Sequence, residues 1–261
     1  MRTARLDTEL VRRGLSSSRT EAQRAIDEGK VTVKGLPATR AATLVSPNDP
    51  IVLTGDAKRF VGRGGDKLDG ALARLDVRVS GRRWFDLGAS TGGFTDRLLQ
   101  GGASAVCAID VGYGQLAWSL RNDERVVVME RRNVRDLTAE DVPWPADGVV
   151  ADLSFISTTL VFPAIHRIAS ADADLVVLVK PQFEVGRSEV GKGGVVRDPA
   201  LWRAALERSV TGAAAEGFGL VDAVPSPLPG PAGNREFFLH LRAGGGASTE
   251  VLDRAVAEVT T

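Results

Sequence analysis

Cysteine is nearly absent, with Cys107 alone among 261 residues. A single thiol excludes a disulfide framework and a thiolate zinc cluster, and it fits a reducing compartment. Histidine is almost as scarce: His166 and His240 fall on a candidate helix and a candidate strand without clustered partners, so both read as structural. No set of metal ligands emerges. No apolar run approaches the roughly 20 residues that a membrane helix needs. The chain opens without a signal-peptide pattern, so the cytoplasm is the expected location. Charge of one sign is missing too, because 33 Lys plus Arg stand against 33 Asp plus Glu. Taken whole, that balance argues against a generic polyelectrolyte binder. What is present is an ordinary globular composition, 43% hydrophobic and 25% charged. The length suits one large domain, or an ordinary domain plus a small one.

The charge is unevenly spread. Residues 1–60 hold 11 Lys plus Arg against 7 Asp plus Glu, and the remainder holds 22 against 26. A balance of +4 in the first part and −4 in the second marks a small basic domain, a common feature of nucleic-acid binders.

The first part reads as a compact αα–β unit. Leu6, Leu10 and Val11 share a helical face that Gly14 ends. Ser18-Arg19-Thr20-Glu21 has the capping-box spacing, followed by the stripe Ala22, Ala25 and Ile26 and the exit Gly29. Val31 and Val33 alternate as a strand, Lys34-Gly35 reads as a turn, and Ser46-Pro47-Asn48-Asp49 is a second turn before Ile51-Val52-Leu53. Around this frame sit Arg5, Arg12, Arg13, Arg19, Arg24, Lys30, Lys34 and Arg40. The order Arg5-Leu6-Asp7, Ser18-Arg19 and Ile26-Asp27-Glu28-Gly29-Lys30-Val31-Thr32-Val33-Lys34-Gly35 resembles the small RNA-binding fold named for ribosomal protein S-four. That resemblance implies recognition of structured RNA by shape and phosphate contacts. It carries Arg5, Arg12, Arg13, Arg19, Arg24, Lys30 and Lys34 as RNA-binding candidates.

Residues 55–66 contain four glycines with mixed charge and little periodicity, the marks of a boundary. We expect a domain over 1–59, a linker over 60–66 and a second domain over 67–261. In the latter, helix candidates at 67–76, 93–101, 114–121, 157–170, 199–216 and 248–258 alternate with strand candidates at 83–87, 105–110, 126–129, 148–152, 174–179, 219–224 and 236–241. Short apolar strands between helices predict an α/β fold with a mainly parallel sheet covered on both faces. In such sheets ligands bind beyond the carboxyl ends of the strands.

The first of these strands ends in Asp86-Leu87-Gly88-Ala89-Ser90-Thr91-Gly92-Gly93-Phe94-Thr95. The spacing fits neither the dinucleotide fingerprint G-x-G-x-x-G nor the Walker pattern. It resembles instead the first motif of S-adenosylmethionine-dependent methyltransferases, and this implies cofactor contacts from Asp86, Gly88, Ala89, Ser90, Gly92, Gly93 and Phe94. The second strand ends at Asp110, which can accept hydrogen bonds from a ribose diol of either NAD or S-adenosylmethionine. The resemblance adds Asn133 and Val134 beside the adenine. Trp118, Trp144 and Trp202 lack the basic interleaving of a stacking platform, and Cys107 reads as core.

Lys67, Asp152, Lys180 and Glu236 stand at the carboxyl ends or flanks of these elements. Lys180 follows five apolar residues, Leu175-Val176-Val177-Leu178-Val179, and limited hydration there would lower its pKa from about 10.4. Singly, each residue reads as half of a surface ion pair. Together, Lys…Asp…Lys…Glu resembles the tetrad of ribose 2′-O-methyltransferases related to FtsJ, which implies catalytic roles for all four and a place for Asp152 beside the cofactor. Three phrases extend the likeness: Gly62-Arg63-Gly64-Gly65-Asp66-Lys67-Leu68, Asp152-Leu153-Ser154-Phe155-Ile156-Ser157, and Lys180-Pro181-Gln182-Phe183-Glu184-Val185-Gly186-Arg187 running on to Gly191-Lys192-Gly193-Gly194.

With its basic N-terminal module, the chain resembles the TlyA family of haemolysin-named ribosomal RNA methyltransferases. The fold this implies is a Rossmann-like class I methyltransferase sheet with a small N-terminal α+β RNA-binding domain. The activity implied is S-adenosylmethionine-dependent methylation of a cytidine 2′-hydroxyl in ribosomal RNA, with ribosomal subunits as partners, no membrane, and a monomer as the expectation. The loop 186–194, with Arg187 and Lys192 as further RNA contacts, reads equally as a lid or as a mobile loop. Two other classes are weighed against this reading. A non-catalytic ribosome assembly factor conflicts with the intact glycine turn and tetrad. A membrane-active haemolysin lacks any spanning or sustained amphipathic segment.

Overall fold

The computed structural model describes residues 3–54 and 59–260. The chain divides into two compact units, Met1–Arg59 and Phe60–Thr261. The glycine-rich boundary segment 55–66 falls partly on 55–58, which lie outside the described residues.

In the first unit, chain order is β1 (Ala4–Arg5), α1 (Leu6–Arg12), α2 (Arg19–Asp27), β2 (Val31–Val33), β3 (Leu36–Pro37), β4 (Leu44–Val45) and β5 (Ile51–Leu53). Ser18 caps α2 by accepting the Glu21 amide at 3.2 Å. The Glu21 carboxylate accepts the amide of Ser17 at 2.8 Å. Lys34 and Gly35 both take positive φ, 54° and 79°, as a tight turn between twisted strands requires. The resulting sheet, ordered β3-β2-β5, and the two helices enclose Leu6, Leu10, Ala22, Ile26, Val31 and Val45.

The second unit continues with α3 (Arg63–Leu72), β6 (Arg83–Leu87), α4 (Gly93–Gln100), β7 (Ala105–Asp110), α5 (Trp118–Arg121), β8 (Val126–Glu130) and β9 (Ala146–Ala151). It ends with α6 (Phe162–Ile168), β10 (Ala169–Val179), α7 (Pro181–Glu184), α8 (Pro199–Ala215), β11 (Phe218–Pro225), β12 (Phe237–Ala243) and α9 (Glu250–Ala257). Seven strands form one sheet in the order β11-β12-β10-β9-β6-β7-β8. Strands β10, β9, β6, β7 and β8 run parallel, and β12 is antiparallel to both β10 and β11. Alternation along β6 sends Phe85 and Leu87 into one core and Trp84 into the other, so both faces are covered.

Several boundaries depart from the periodicity. Residues 60–66 are not a linker. Phe60 is buried, Gly62 caps α3, and that helix starts at Arg63, four residues before its expected position. The glycines at 62, 64 and 65 suit close packing rather than flexibility, since a Cβ on Gly65 would lie 2.3 Å from the Phe60 side chain. The helix expected over 114–121 shrinks to α5, because the Gly112 and Gly114 amides are drawn to the carboxylates of Asp110 and Glu130. The helix expected over 157–170 splits into a 3₁₀ turn at Thr158–Leu160 and α6, which begins around Pro163, where a missing N–H forces a start.

Phe238 is fully buried between β10 and β11, with its ring 6.0 Å from that of Phe94 in α4. Replacing it by alanine is expected to cost about 3–5 kcal/mol through lost burial and the residual cavity. Urea unfolding of Phe238→Ala should show a lowered midpoint with an unchanged slope.

Candidate active site

The strand order reverses between β6 and β9, the point at which an open α/β sheet offers a ligand crevice beyond the carboxyl ends of its strands. The two strand ends are held tightly: Asp152 donates its amide to the Leu87 carbonyl at 3.0 Å. Gly88, at φ 85°, must lack a side chain, since a Cβ would sit 2.6 Å from the Asp152 carbonyl oxygen. Gly92, at φ 94°, turns the chain into α4. A Cβ on Gly93 would meet the Gly65 amide nitrogen at 2.8 Å, so the α3 start packs directly on this turn.

Several expected cofactor contacts also have structural partners of their own. Asp86 faces inward, fully buried, and accepts the Thr95 amide at 2.9 Å and its hydroxyl at 2.7 Å. It therefore fastens α4 to β6 and presents nothing to the crevice. Burial pushes its carboxyl up to about 7, against the downward pull of the Thr95 hydrogen bonds. Gly92, Gly93 and Phe94 are buried in the same packing. Asn133 directs its side-chain oxygen to the Arg135 amide at 3.2 Å, and Val134 packs into the core.

Asp110, Gly88, Ala89 and Ser90 are differently placed. Asp110 Oδ2 accepts the Ser90 amide at 2.8 Å and Oδ1 accepts the Gly112 amide at 2.6 Å. Each carboxylate oxygen has a second lone pair, so the group can still accept from a ribose diol. Ser90 is exposed at φ 48°. A rim of open backbone beside an acidic strand end fits a nucleoside cofactor such as S-adenosylmethionine.

The four tetrad residues form two ion pairs, one buried and one half-buried on its carboxylate side. Lys67, on α3 and 7% exposed, reaches the Glu236 carboxylate at 2.5 Å. Lys180, 8% exposed at the end of β10, lies 2.6 Å from Asp152 Oδ1. Strand register explains the grouping. Asp152 follows Ala151, which pairs with Val177 of β10. Glu236 and Lys180 each lie one step beyond the Val179–Phe237 pair. Three neighbouring strands thus deliver Asp152, Lys180 and Glu236 to one end of the sheet.

Sequence reasoning gave no role to the residues that brace these pairs. Lys180 donates to the Ser154 hydroxyl at 2.8 Å. Phe155 is 91% exposed at φ 65°, with its ring 5.2 Å from that of Phe183. Glu184, buried, accepts the Ser157 hydroxyl at 2.6 Å and the Thr158 amide at 2.8 Å, tying the 152–158 loop to the turn after Lys180. Buried Asn234 accepts the Val196 amide and donates to the Gly194 carbonyl, which anchors the far arm of the 186–197 loop. Arg187 and Lys192 are exposed on that loop. No spacing rule signals Glu184 or Asn234.

In the first unit, two buried carboxylates organise the basic side chains. Asp7 receives Arg5 and Arg19, and Glu9 receives Arg12 and Arg13. The Arg5 guanidinium holds the Asp7 carboxyl well below the ordinary range, and Arg12 and then Arg13 do the same for Glu9. Arg13 also donates to the carbonyls of Ser46, Pro47 and Asp49, so its guanidinium is used in holding the turn rather than offered outward. Arg24 and Lys30 share Glu28, and Lys34 pairs with Asp49. His240 is buried against Asp174, and Cys107 is core, its thiol pushed up to about 12 by burial.

Asp86 yields a pH test. Its folded pKa lies above the ordinary 3.8, so its contribution favours folding below that value and is lost as pH rises through about 7. Asp86→Asn should therefore flatten the fall in unfolding free energy between pH 4 and pH 8, measured by denaturant titration.

Comparison with known proteins agrees with this geometry. Residues 60–243 match the FtsJ-like methyltransferase model, and residues 4–51 match the S4 domain model. The chain is 56% identical over 243 residues to the 16S/23S rRNA (cytidine-2′-O)-methyltransferase TlyA of Mycobacterium tuberculosis, covering 92% of this chain and 90% of that protein. It is 39% identical to Hemolysin A of Brachyspira hyodysenteriae, covering 90% and 98% respectively. A solved structure from Streptococcus thermophilus, titled as a hemolysin, superposes with a TM-score of 0.75 at 36% identity, covering 100% of this chain and 98% of that one. Among the described residues no helix is long and apolar enough to cross a membrane. The two family models together span most of the described length of both units, the relatives match nearly the whole chain, and the chain belongs to the TlyA family of FtsJ-like methyltransferases with an N-terminal S4 domain.

Proposed function

We propose that this protein methylates the 2′-hydroxyl of cytidine in ribosomal RNA of both subunits, acting in the cytoplasm with S-adenosylmethionine as methyl donor. The observation that carries this reading is the Lys180–Asp152 pair at the strand-order reversal, beside the rim formed by Gly88, Ala89, Ser90 and Asp110. The printed activity of the Mycobacterium tuberculosis relative supports the choice of base and of both subunits.

When bound, S-adenosylmethionine supplies a methyl group on a positively charged sulfur. The rim residues would hold its nucleoside, with Asp110 accepting from the ribose and the backbone of the Asn133–Val134 turn after β8 serving the base. Lys180 Nζ takes the proton of the 2′-hydroxyl as that oxygen becomes nucleophilic. Asp152 holds Lys180 in place. The Lys67–Glu236 pair positions the ribose, and alignment of the two substrates provides most of the acceleration. The exposed Phe155 ring offers a face on which an unstacked base can rest.

Docking on RNA falls to Arg5, Arg12, Arg19, Arg24, Lys30 and Lys34 of the first unit, with Arg187 and Lys192 from the second. Arg5, Arg12 and Arg19 remain substantially exposed even while paired, so Asp7 and Glu9 hold them ready for phosphates.

Two measurements test this reading. Tritiated-methyl transfer to ribosomal subunits, followed by mapping of the nucleotide, should show a 2′-O-methylcytidine. A folded Lys180→Ala protein should lose that transfer, and a wild-type rate in this variant would refute the assignment. Replacing Arg12, Arg19 and Arg24 with alanine should weaken RNA binding and flatten the dependence of log affinity on log salt by about 0.7–0.9 per lost phosphate contact.

A further inference from the structure

Lys180 has one hydrogen-bond acceptor, the Ser154 hydroxyl, and one ion-pair partner, the Asp152 carboxylate, and they lie on different parts of the chain's return. Asp152 Oδ1 stands at 2.6 Å at the end of β9, and Ser154 Oγ stands at 2.8 Å two residues further on. The amine nitrogen is tetrahedral, with one position taken by its own side chain. The ion pair with Asp152 attracts the charge without fixing a donor direction. One N–H held on Ser154 fixes rotation about the last bond and leaves two positions, of which the side facing the carboxylate takes one.

We propose that Ser154 is a positioning residue for methyl transfer: together with Asp152 it orients the Lys180 amine so that its single remaining position faces the 2′-hydroxyl. This deepens the function proposed above and rests on Lys180 being the proton acceptor. In the neutral amine, one N–H donates to Ser154, the other stays on the side of the Asp152 carboxylate, and the lone pair takes the remaining direction. The hydroxyl proton moves onto that lone pair as the ribose oxygen takes the methyl group, and the resulting ammonium releases a proton to water afterwards.

The backbone supports this role. Ser154 is exposed, yet its hydroxyl is drawn onto a nearly buried amine. The chain achieves this by reversing at Phe155, a non-glycine residue at φ 65°. A bulky residue in that region persists only where its surroundings over-determine it. Glu184 supplies that constraint by holding Ser157 and Thr158, and the Phe155–Phe183 contact adds to it. The charged groups set around Lys180 are Asp152 from β9 and, one step past the last β10–β12 pair, Glu236, which is engaged by Lys67 from α3.

The test compares Ser154→Ala, Ser154→Thr and Lys180→Ala with the wild type, all full-length, in single-turnover tritiated-methyl transfer to ribosomal subunits across a range of pH. Ser154→Ala should lower the rate by about tenfold, the scale of one hydrogen bond to a charged group, with unchanged affinity for S-adenosylmethionine by calorimetry. The rising limb of its pH–rate profile should move to lower pH, because the ammonium has lost an acceptor that stabilises its charge. Ser154→Thr, which keeps the hydroxyl, should recover most of the rate and the wild-type profile. A wild-type rate and profile in Ser154→Ala, or a threonine variant as impaired as the alanine one, would overturn the proposal. Activity in Lys180→Ala would overturn the underlying role of Lys180 instead, so the two failures are distinguishable.

Discussion

An amine at the end of an apolar strand is tolerable only if a carboxylate meets it there. Lys180 follows five apolar residues that lie wholly within the sheet, and its own side chain is nearly buried. Removing an ammonium from water without a partner is far more unfavourable than a folded domain can offset. Asp152 arrives within reach from the neighbouring strand, because β9 and β10 are parallel and adjacent and end close together. The same logic applies to Lys67, which leaves α3 to reach Glu236 at the head of β12. The arrangement of three strands and one helix can be read as the solution to these two ion pairs.

The glycine turn serves this arrangement as much as it serves a cofactor. Its close approaches, Gly88 to the Asp152 carbonyl and Gly93 to the start of α3, bring β9 and α3 toward β6. Asp86 secures the turn from beneath through Thr95, without reaching the crevice. A motif that resembles a ligand-binding sequence thus divides its labour. Ser90 and Asp110 form the open rim, and most of the other residues hold the elements that carry catalytic side chains. The first unit applies the same economy, since buried Asp7 and Glu9 organise arginines that stay exposed.

Much of this was legible in the residues. Seven strands of the large domain follow from short apolar runs, and β7 has the expected bounds because Ala105–Ile109 is bracketed by a polar residue on each side. The adjacency of Asp152 and Lys180 follows from ordinary topology. Residues 60–66 were not legible. Their glycines look like flexibility in one dimension, whereas in three they permit contact with Phe60, Thr91 and Phe94. Arg13 is the converse case, a basic residue whose donors are taken by Glu9 and three carbonyls distant in sequence.

The sequence by itself determined the alternation of strand and helix, the charge polarity between the two parts, the glycine turn and the identity of the four charged residues. These are local properties, set by side-chain period, turn chemistry and composition. Only the tertiary structure decided who pairs with whom: Lys67 with Glu236, Lys180 with both Asp152 and Ser154, and Glu184 with Ser157 and Thr158. Such pairings depend on strand register and loop reversal between segments 26 to 169 residues apart. A one-residue change in either would turn each side chain to the opposite face, and no local pattern encodes that distance.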